Sequence, residues 1–190
     1  VFAQQGFEGA TLREVAERAG VKQPLLVYHF QSKEVLWKAT IDLLWTRVVA
    51  AVRAGSDWAE IADSPQVVRA VLRSFIQIVA DEPAWLQILL REASQPGPRL
   101  DWLVEQHSRA TYAAGMEFLE SAQKLGLVPK LPTRHLLYIL TGALTFVMAI
   151  APEVERVTGE DPRSAAFLDR HVDTFIALLF PELARGRDPH

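Results

Sequence analysis

Apolar side chains recur along the chain at helical spacing, and polar or glycine punctuation separates the runs. Leu12, Val15, Ala16 and Ala19 fall on one helical face. Thr11 before them is a good N-cap, and Gly20 after them is a C-terminal stop. A second short helix fits residues 23–29. Ser32 then caps a long helix over 33–54, with Leu36, Ile41, Leu44, Val48 and Val52 as its inward positions. Ser64 and Pro65 have the arrangement of an N-cap followed by a first-turn proline. The helix they open, 65–80, buries Val68, Val71, Leu72, Phe75 and Val79. Pro83 opens another, which stops by the SQPGP segment at 94–98. A long helix over 99–125 ends at Gly126. Thr133 is read as the cap of a very apolar helix reaching Ala151, and EVERVTGEDP after it as a polar connection. Asp161 and Pro162 begin the last helix, which runs to about Phe180. Strand signals are nearly absent, so the fold class expected is all-α.

With 190 residues and 49% hydrophobic positions, the chain can bury a substantial core in one or two domains. The apolar stretch at 136–151 is shorter than the roughly 20 residues a membrane span needs, so a buried helix and no membrane partner are expected. The opening VFAQQGF has neither a basic stretch nor a long apolar run, unlike a secretory signal. Its Val1, Phe2 and Phe7 read as the end of an amphipathic helix that begins upstream.

Charge and composition narrow the chemistry. The formal net charge is −3, so any nucleic-acid contact must come from a local patch. There is no Cys, which removes disulfides, thiolate metal sites and a cysteine nucleophile. No Glu-x-x-His pair, GxSxG, P-loop or GxGxxG occurs. Asp169, His171 and Asp173 alternate, which splays them around a helix. No enzyme, metal site or cofactor is expected.

The segment Leu12-x-x-Val15-Ala16-x-x-Ala19-Gly20-Val21 has the packing pattern of a helix-turn-helix, with Gly20 at the sharp turn and Val21 plugging the core between the helices. The next helix can then lie in a DNA major groove with its N-terminal residues at base edges. Gln23 stands there, and its amide can donate and accept together, as reading adenine requires. The Pro24 ring could touch a thymine methyl. Tyr28, His29 and Lys33 are phosphate-anchor types. From Arg18 to Lys33 the chain carries Arg18, Lys22, Lys33 and His29 and no acid, a focused basic patch. The pattern alone also fits a solvated charged loop in a helical bundle.

The segment GATLREVAERAGVKQPLLVYHFQSKEVL resembles the TetR (tetracycline repressor) family of one-component regulators. Thr11, Leu12, Val15, Ala16, Ala19, Gly20, Val21, Leu26, His29, Phe30, Lys33 and Leu36 match that family's pattern, and FAQQGFEGAT fits the end of its first helix. The specific likeness ends near Leu36. It implies a three-helix DNA-binding domain, expected at 1–47, and a larger helical body at 48–190 that binds an effector and dimerises. It implies base contacts at Gln23 and Pro24 and backbone contacts at Tyr28, His29 and Lys33; Lys22 could add a phosphate or guanine contact. One residue departs from the pattern. Val27 stands where the family has a phosphate-binding Tyr, so Tyr28 replaces that contact or it is lost.

Within the body, the helix at 136–151 and the last helix, with Leu168, His171, Val172, Phe175, Ile176 and Leu179 on one stripe, would build a four-helix homodimer interface around a two-fold axis. The alternative is that both fill a monomer core. His107 and Thr111 interrupt an apolar face formed by Leu100, Leu103, Ala114 and Phe118. Trp85, Glu92, Trp102, Tyr112, Met116, Tyr138 and Phe146 could join them around a small hydrophobic effector; plain aromatic core packing fits as well. The expected function is a ligand-responsive transcriptional regulator, most simply a repressor on a palindromic operator. It would be bacterial and cytoplasmic, and associated with the nucleoid when bound to DNA. A helical scaffold whose DNA binding has lapsed is the opposing reading, and Val27 is its support.

Overall fold

The computed structural model of the chain describes residues 1–54 and 65–180, and no strand occurs among them. The helices are α1 (Phe2–Gly9), α2 (Leu12–Arg18), α3 (Gln23–Phe30), α4 (Lys33–Ala54), α5 (Pro65–Asp81), α6 (Pro83–Ala93), α7 (Pro98–Leu103), α8 (Arg109–Lys124), α9 (Thr133–Ala149), α10 (Ala151–Thr158) and α11 (Ala165–Leu179). The cap expected at Ser64 and the side chain of Val52 lie outside the described residues.

Local chemistry accounts for most of the boundaries. The Thr11 hydroxyl accepts from the Glu14 amide, and the Ser32 hydroxyl from the Val35 amide, so α2 and α4 begin where capping chemistry places them. Gly20 takes φ 68°, the left-handed value that lets the chain double back between α2 and α3. The amide of Val21 then closes onto the Ala16 carbonyl at 3.0 Å. Val21 itself is 38% exposed, so it is not the core plug expected of it.

Four further boundaries differ from the sequence reading. The stretch expected as one helix over 99–125 contains a π-helical turn, Val104–Ser108, between α7 and α8. The segment after Pro152 is not an open connection, because α10 continues through it to a left-handed Gly159. Asp161 and Pro162 form a turn rather than a helix start. Ser164 is the cap of α11, accepting from the Phe167 amide. Thr133 likewise lies inside α9, and its hydroxyl donates to Gln123 Oε1 at 3.0 Å.

One continuous core joins the two ends of the molecule. Trp37 and Ile41 on α4 are 1% exposed, and Ile76, Leu103 and Leu168 are fully enclosed on α5, α7 and α11. Each such side chain contributes about 1.5–3 kcal/mol by leaving water. Of the expected inward positions of α4 and α5, Leu36, Ile41, Leu44, Val48, Val68, Val71 and Val79 are buried, while Leu72 and Phe75 are only half-buried. On the outer side, α5 and α11 are clamped by Arg69 to Asp173 and Arg73 to Asp169. The Arg69 hydrogen bond holds the Asp173 carboxyl below its usual range. No single described helix is long and apolar enough to cross a membrane.

Candidate nucleic-acid interface

The interface is built on α3, a helix with little hold on the rest of the protein. Leu26 is its only buried residue, at 6% exposure, and Phe30 is half-buried. Gln23, Pro24, Leu25, Val27, Tyr28 and His29 are all exposed, with Tyr28 at 79%. A helix with one buried anchor presents most of its surface to a partner. Pro24 falls in the first turn, where a missing N–H costs nothing. Lys22, the N-cap, is exposed, and its side chain makes no hydrogen bond or ion pair among the described residues. Its ammonium is available to a phosphate or a guanine. The Tyr28 and His29 rings meet edge to face at 5.4 Å, a contact that orders both at one rim of α3.

Lys33 does not join this surface. Its ammonium donates to the carbonyls of Phe7 at 2.8 Å, Ala10 at 3.1 Å and Glu8 at 3.4 Å, and sits 4.5 Å from the Phe7 ring centroid. Those carbonyls are left over at the end of α1, and a cation there also suits the helix dipole. In this structure the residue ties α4 to α1 instead of pointing at a phosphate. Arg18 is likewise engaged, with Glu14 at 3.0 Å and Gln4 at 2.7 Å.

The small domain is gripped from the body. Gly6 breaks α1 with φ 75° and is buried under Arg91 of α6. The Arg91 guanidinium reaches the Gln4 carbonyl at 3.3 Å. Arg99 of α7 pairs with Glu92 on α6 and with Glu8 on α1, both at 3.0 Å, and stacks 4.4 Å over Phe7. Partial burial pulls the Arg99 pKa down, but the bonds to Glu92 and Glu8 outweigh it and the net shift is upward. Glu92, expected at an effector, is 4% exposed with its carboxylate committed to this grip.

The remaining effector candidates divide. Trp102, His107 and Trp85 belong to an aromatic column that α4 runs through. Trp37 meets Trp102 at 5.4 Å, Trp102 meets His107 at 5.4 Å, His107 stacks on Trp45 at 5.0 Å, and Trp45 meets Trp85 at 5.4 Å. The π-helical turn carries His107, whose Nε2 lies 2.8 Å from Asp42 of α4. Thr111 accepts from the Trp45 indole at 3.0 Å and donates to the His107 carbonyl. The buried Trp85 indole N–H has no partner among the described residues, and a ligand acceptor would satisfy it. Tyr138 and Phe146 do not line this interior. They are 68% and 63% exposed on the outer face of α9, and Tyr112 packs against Tyr138 at 5.8 Å. Sequence reasoning misses Trp37, Asp42, Trp45, Arg91 and Arg99. The two Trp of α4, eight positions apart and hence on one face, are the available signal.

Residues 1–40 match the family model TetR_N, described as bacterial regulatory proteins, tetR family. Along most of its length the chain is also similar to the HTH-type transcriptional regulator RutR of Escherichia coli (strain K12), with 26% identity over 175 residues, covering 90% of this chain and 80% of RutR. The match to the tetR family model spans the first 40 of the 190 residues. Its DNA-binding end is similar to the tetracycline repressor protein class C of Escherichia coli, 40% identical over 55 residues, which is 28% of this chain and 25% of that protein. The fold matches the TetR family transcriptional regulator PfmR from Thermus thermophilus with a TM-score of 0.69 at 15% identity, covering 99% of this chain and 94% of that one. α2 and α3 lie inside the stretch that matches this family of regulatory proteins, and the relatives named are transcriptional regulators.

Proposed function

We propose that this protein is a homodimeric repressor that occupies a palindromic operator and leaves it when a small, largely apolar effector enters the helical body. The observation that carries the reading is α3, a helix exposed on every side but the Leu26 face and led by Lys22 and Gln23. In this reading Gln23 bonds an adenine edge bidentately, and Lys22 a phosphate or guanine. Tyr28 and His29 supply backbone contacts. The residue that stands for the family's phosphate-binding Tyr is Val27, exposed beside Tyr28, so Tyr28 carries that contact.

Support for the dimer comes from α9. Tyr138, Ile139, Gly142 and Phe146 recur at i, i+1, i+4 and i+8 on its solvent side, and Leu178 on α11 is 75% exposed. Such an apolar stripe suits a second copy of the same helices. Support for the effector comes from the aromatic column and the unpartnered Trp85 indole. A ligand that moved α6 or α7 would act on Arg91 and Arg99, and through them on α1. It shifts the population only if it binds the non-DNA arrangement better.

Selection of genomic fragments by the purified protein tests this. An enriched inverted repeat with half-sites about one helical turn apart is the expected outcome. Enrichment of no sequence, or of single half-sites, contradicts the reading.

A further inference from the structure

α7, the π-helical turn and α8 run on as one helix with a residue to spare. The Arg109 amide bonds the Val104 carbonyl, five positions back where an α-helix reaches four. That surplus resets every position beyond it. At about 100° per residue, an uninterrupted α-helix would spread Arg99, Trp102, His107 and Thr111 over about half of its circumference. Discounting one residue at the turn brings the same four within about 80° of one another. Their contacts agree. Arg99 meets Glu8 and the Phe7 ring, Trp102 meets Trp37, His107 meets Asp42 and Trp45, and Thr111 meets Trp45. The Trp102 and His107 rings, five positions apart, lie 5.4 Å from each other, whereas side chains that meet along an α-helix are three or four apart. One face of this helix holds α1 and α4 together because the turn is wound as π. The far end of α7 is also a joint. Gly97 precedes Pro98 with φ 153°, a value that favours glycine, and a Cβ there would meet nothing within 4 Å. α7 is thus six residues between two joints, and it carries Arg99.

We infer that the π-helical turn is a two-state joint that sets whether the body holds the DNA-binding helices. Wound as π, it keeps Arg99 on Glu8; rewound as α, it turns α7 by roughly 100° against α8 and takes Arg99 off α1. His107 is the catch. While Asp42 and Trp45 hold its ring, rewinding breaks both contacts, and a ligand in the aromatic column that displaces the ring frees the turn. Leu103, fully enclosed, opposes the rotation and keeps the two windings distinct. The inference rests on the reading of the protein as an operator-binding regulator and names the element through which its body acts on α1 to α3. Two loosely held heads need more ordering to dock on one duplex than two fixed ones. The π-wound arrangement is therefore the one that favours the operator, and both ligands bias a single element, as coupling between sites requires.

The experiment follows backbone hydrogen exchange of the full chain, free and saturated with the duplex that genomic selection enriches. Peptides covering 98–108 and Glu8 should exchange more slowly with the duplex bound, although neither segment belongs to α3. Unchanged or faster exchange over 98–108 overturns the inference. A variant lacking Gln106, an exposed residue of the turn, has no surplus residue, so that 98–124 becomes a plain α-helix with the four contact residues still on one face. His107→Ala should weaken operator binding about ten-fold in the wild-type chain, within the range of ordinary couplings between sites. In the variant lacking Gln106 the same substitution should cost much less, because that helix has no second winding to fall into. An equal cost in both backgrounds makes His107 a packing residue and overturns the inference. Should the shortened chain fail to fold, as circular dichroism would report, the exchange comparison decides alone. Enrichment of no duplex removes the operator reading and this inference with it, whereas an enriched duplex that leaves 98–108 unchanged overturns the joint alone.

Discussion

The Lys33 ammonium has three carbonyl acceptors at the end of α1, and this governs what its removal should do. Lys33→Ala leaves those carbonyls to water or to no partner, and it takes away a cation over the Phe7 ring. Charge-assisted bonds of this kind are worth about 1.5–3 kcal/mol together with the aromatic contact. The expected result is a lower melting temperature, with the dependence of DNA affinity on salt unchanged, because no phosphate contact is lost. A fall of about one unit in the salt slope, with the melting point held, would instead restore Lys33 to the backbone contacts. At this scale the sequence makes α3 legible and misleads about its neighbour. Gln23, Tyr28 and His29 sit where a helix-turn-helix exposes its second helix, which local spacing alone can place. Lys33 can be read only by type, since a basic residue just beyond the reading helix suits a phosphate. Its actual acceptors are backbone groups more than twenty positions away, and no local pattern marks a carbonyl as waiting for a cation.

At the level of elements, α1 shows how one residue sets the fit between the two parts of the molecule. Gly6 holds φ 75° and lies directly beneath the Arg91 side chain, so that a Cβ there would overlap the guanidinium. Gly6→Ala meets two costs. The left-handed backbone conformation costs an L residue roughly 1–2 kcal/mol, and Arg91 must move from the Gln4 carbonyl. Loss of about 1–2 kcal/mol in denaturant unfolding is expected, along with weaker control of DNA binding by whatever ligand the body takes. Arg91→Ala in the Gly6→Ala background separates the parts: it should recover the overlap cost and not the backbone cost. Most helix ends are readable because a cap is local chemistry: Thr11, Ser32 and Gly20 act within four residues of themselves. The π-helical turn at Val104–Ser108 is not, since it adds one residue to a helix whose apolar spacing still looks regular. α10 is hidden because half of its positions are polar, a proline falls in its first turn, and only Ala151 is buried.

For the whole molecule, the exposed stripe on α9 is the feature that one protomer leaves unexplained. Ile139 is 59% and Phe146 63% exposed, on a helix whose opposite face, Leu136, Leu140, Leu144 and Met148, is already in the core. From sequence, α9 is apolar on nearly every side. That reading assigns Tyr138 and Phe146 to an interior, because hydrophobicity alone does not say whether a face meets its own protomer or a second copy. If the stripe is self-complementary, a charge placed in it meets its own image across the two-fold axis. Ile139→Glu therefore sets two carboxylates against each other in a desolvated interface and leaves the protomer core intact. Light scattering should then report a monomer at concentrations where the wild type is a dimer, with an unchanged helical spectrum. A palindrome should lose most of its advantage over a single half-site, since two tethered heads bind with an effective concentration that separate chains lack. Were Ile139→Glu to remain dimeric, or to unfold, α9 would be a core helix with an incidental exposed edge. The spacing of the two reading helices would then have to be set by another part of the body.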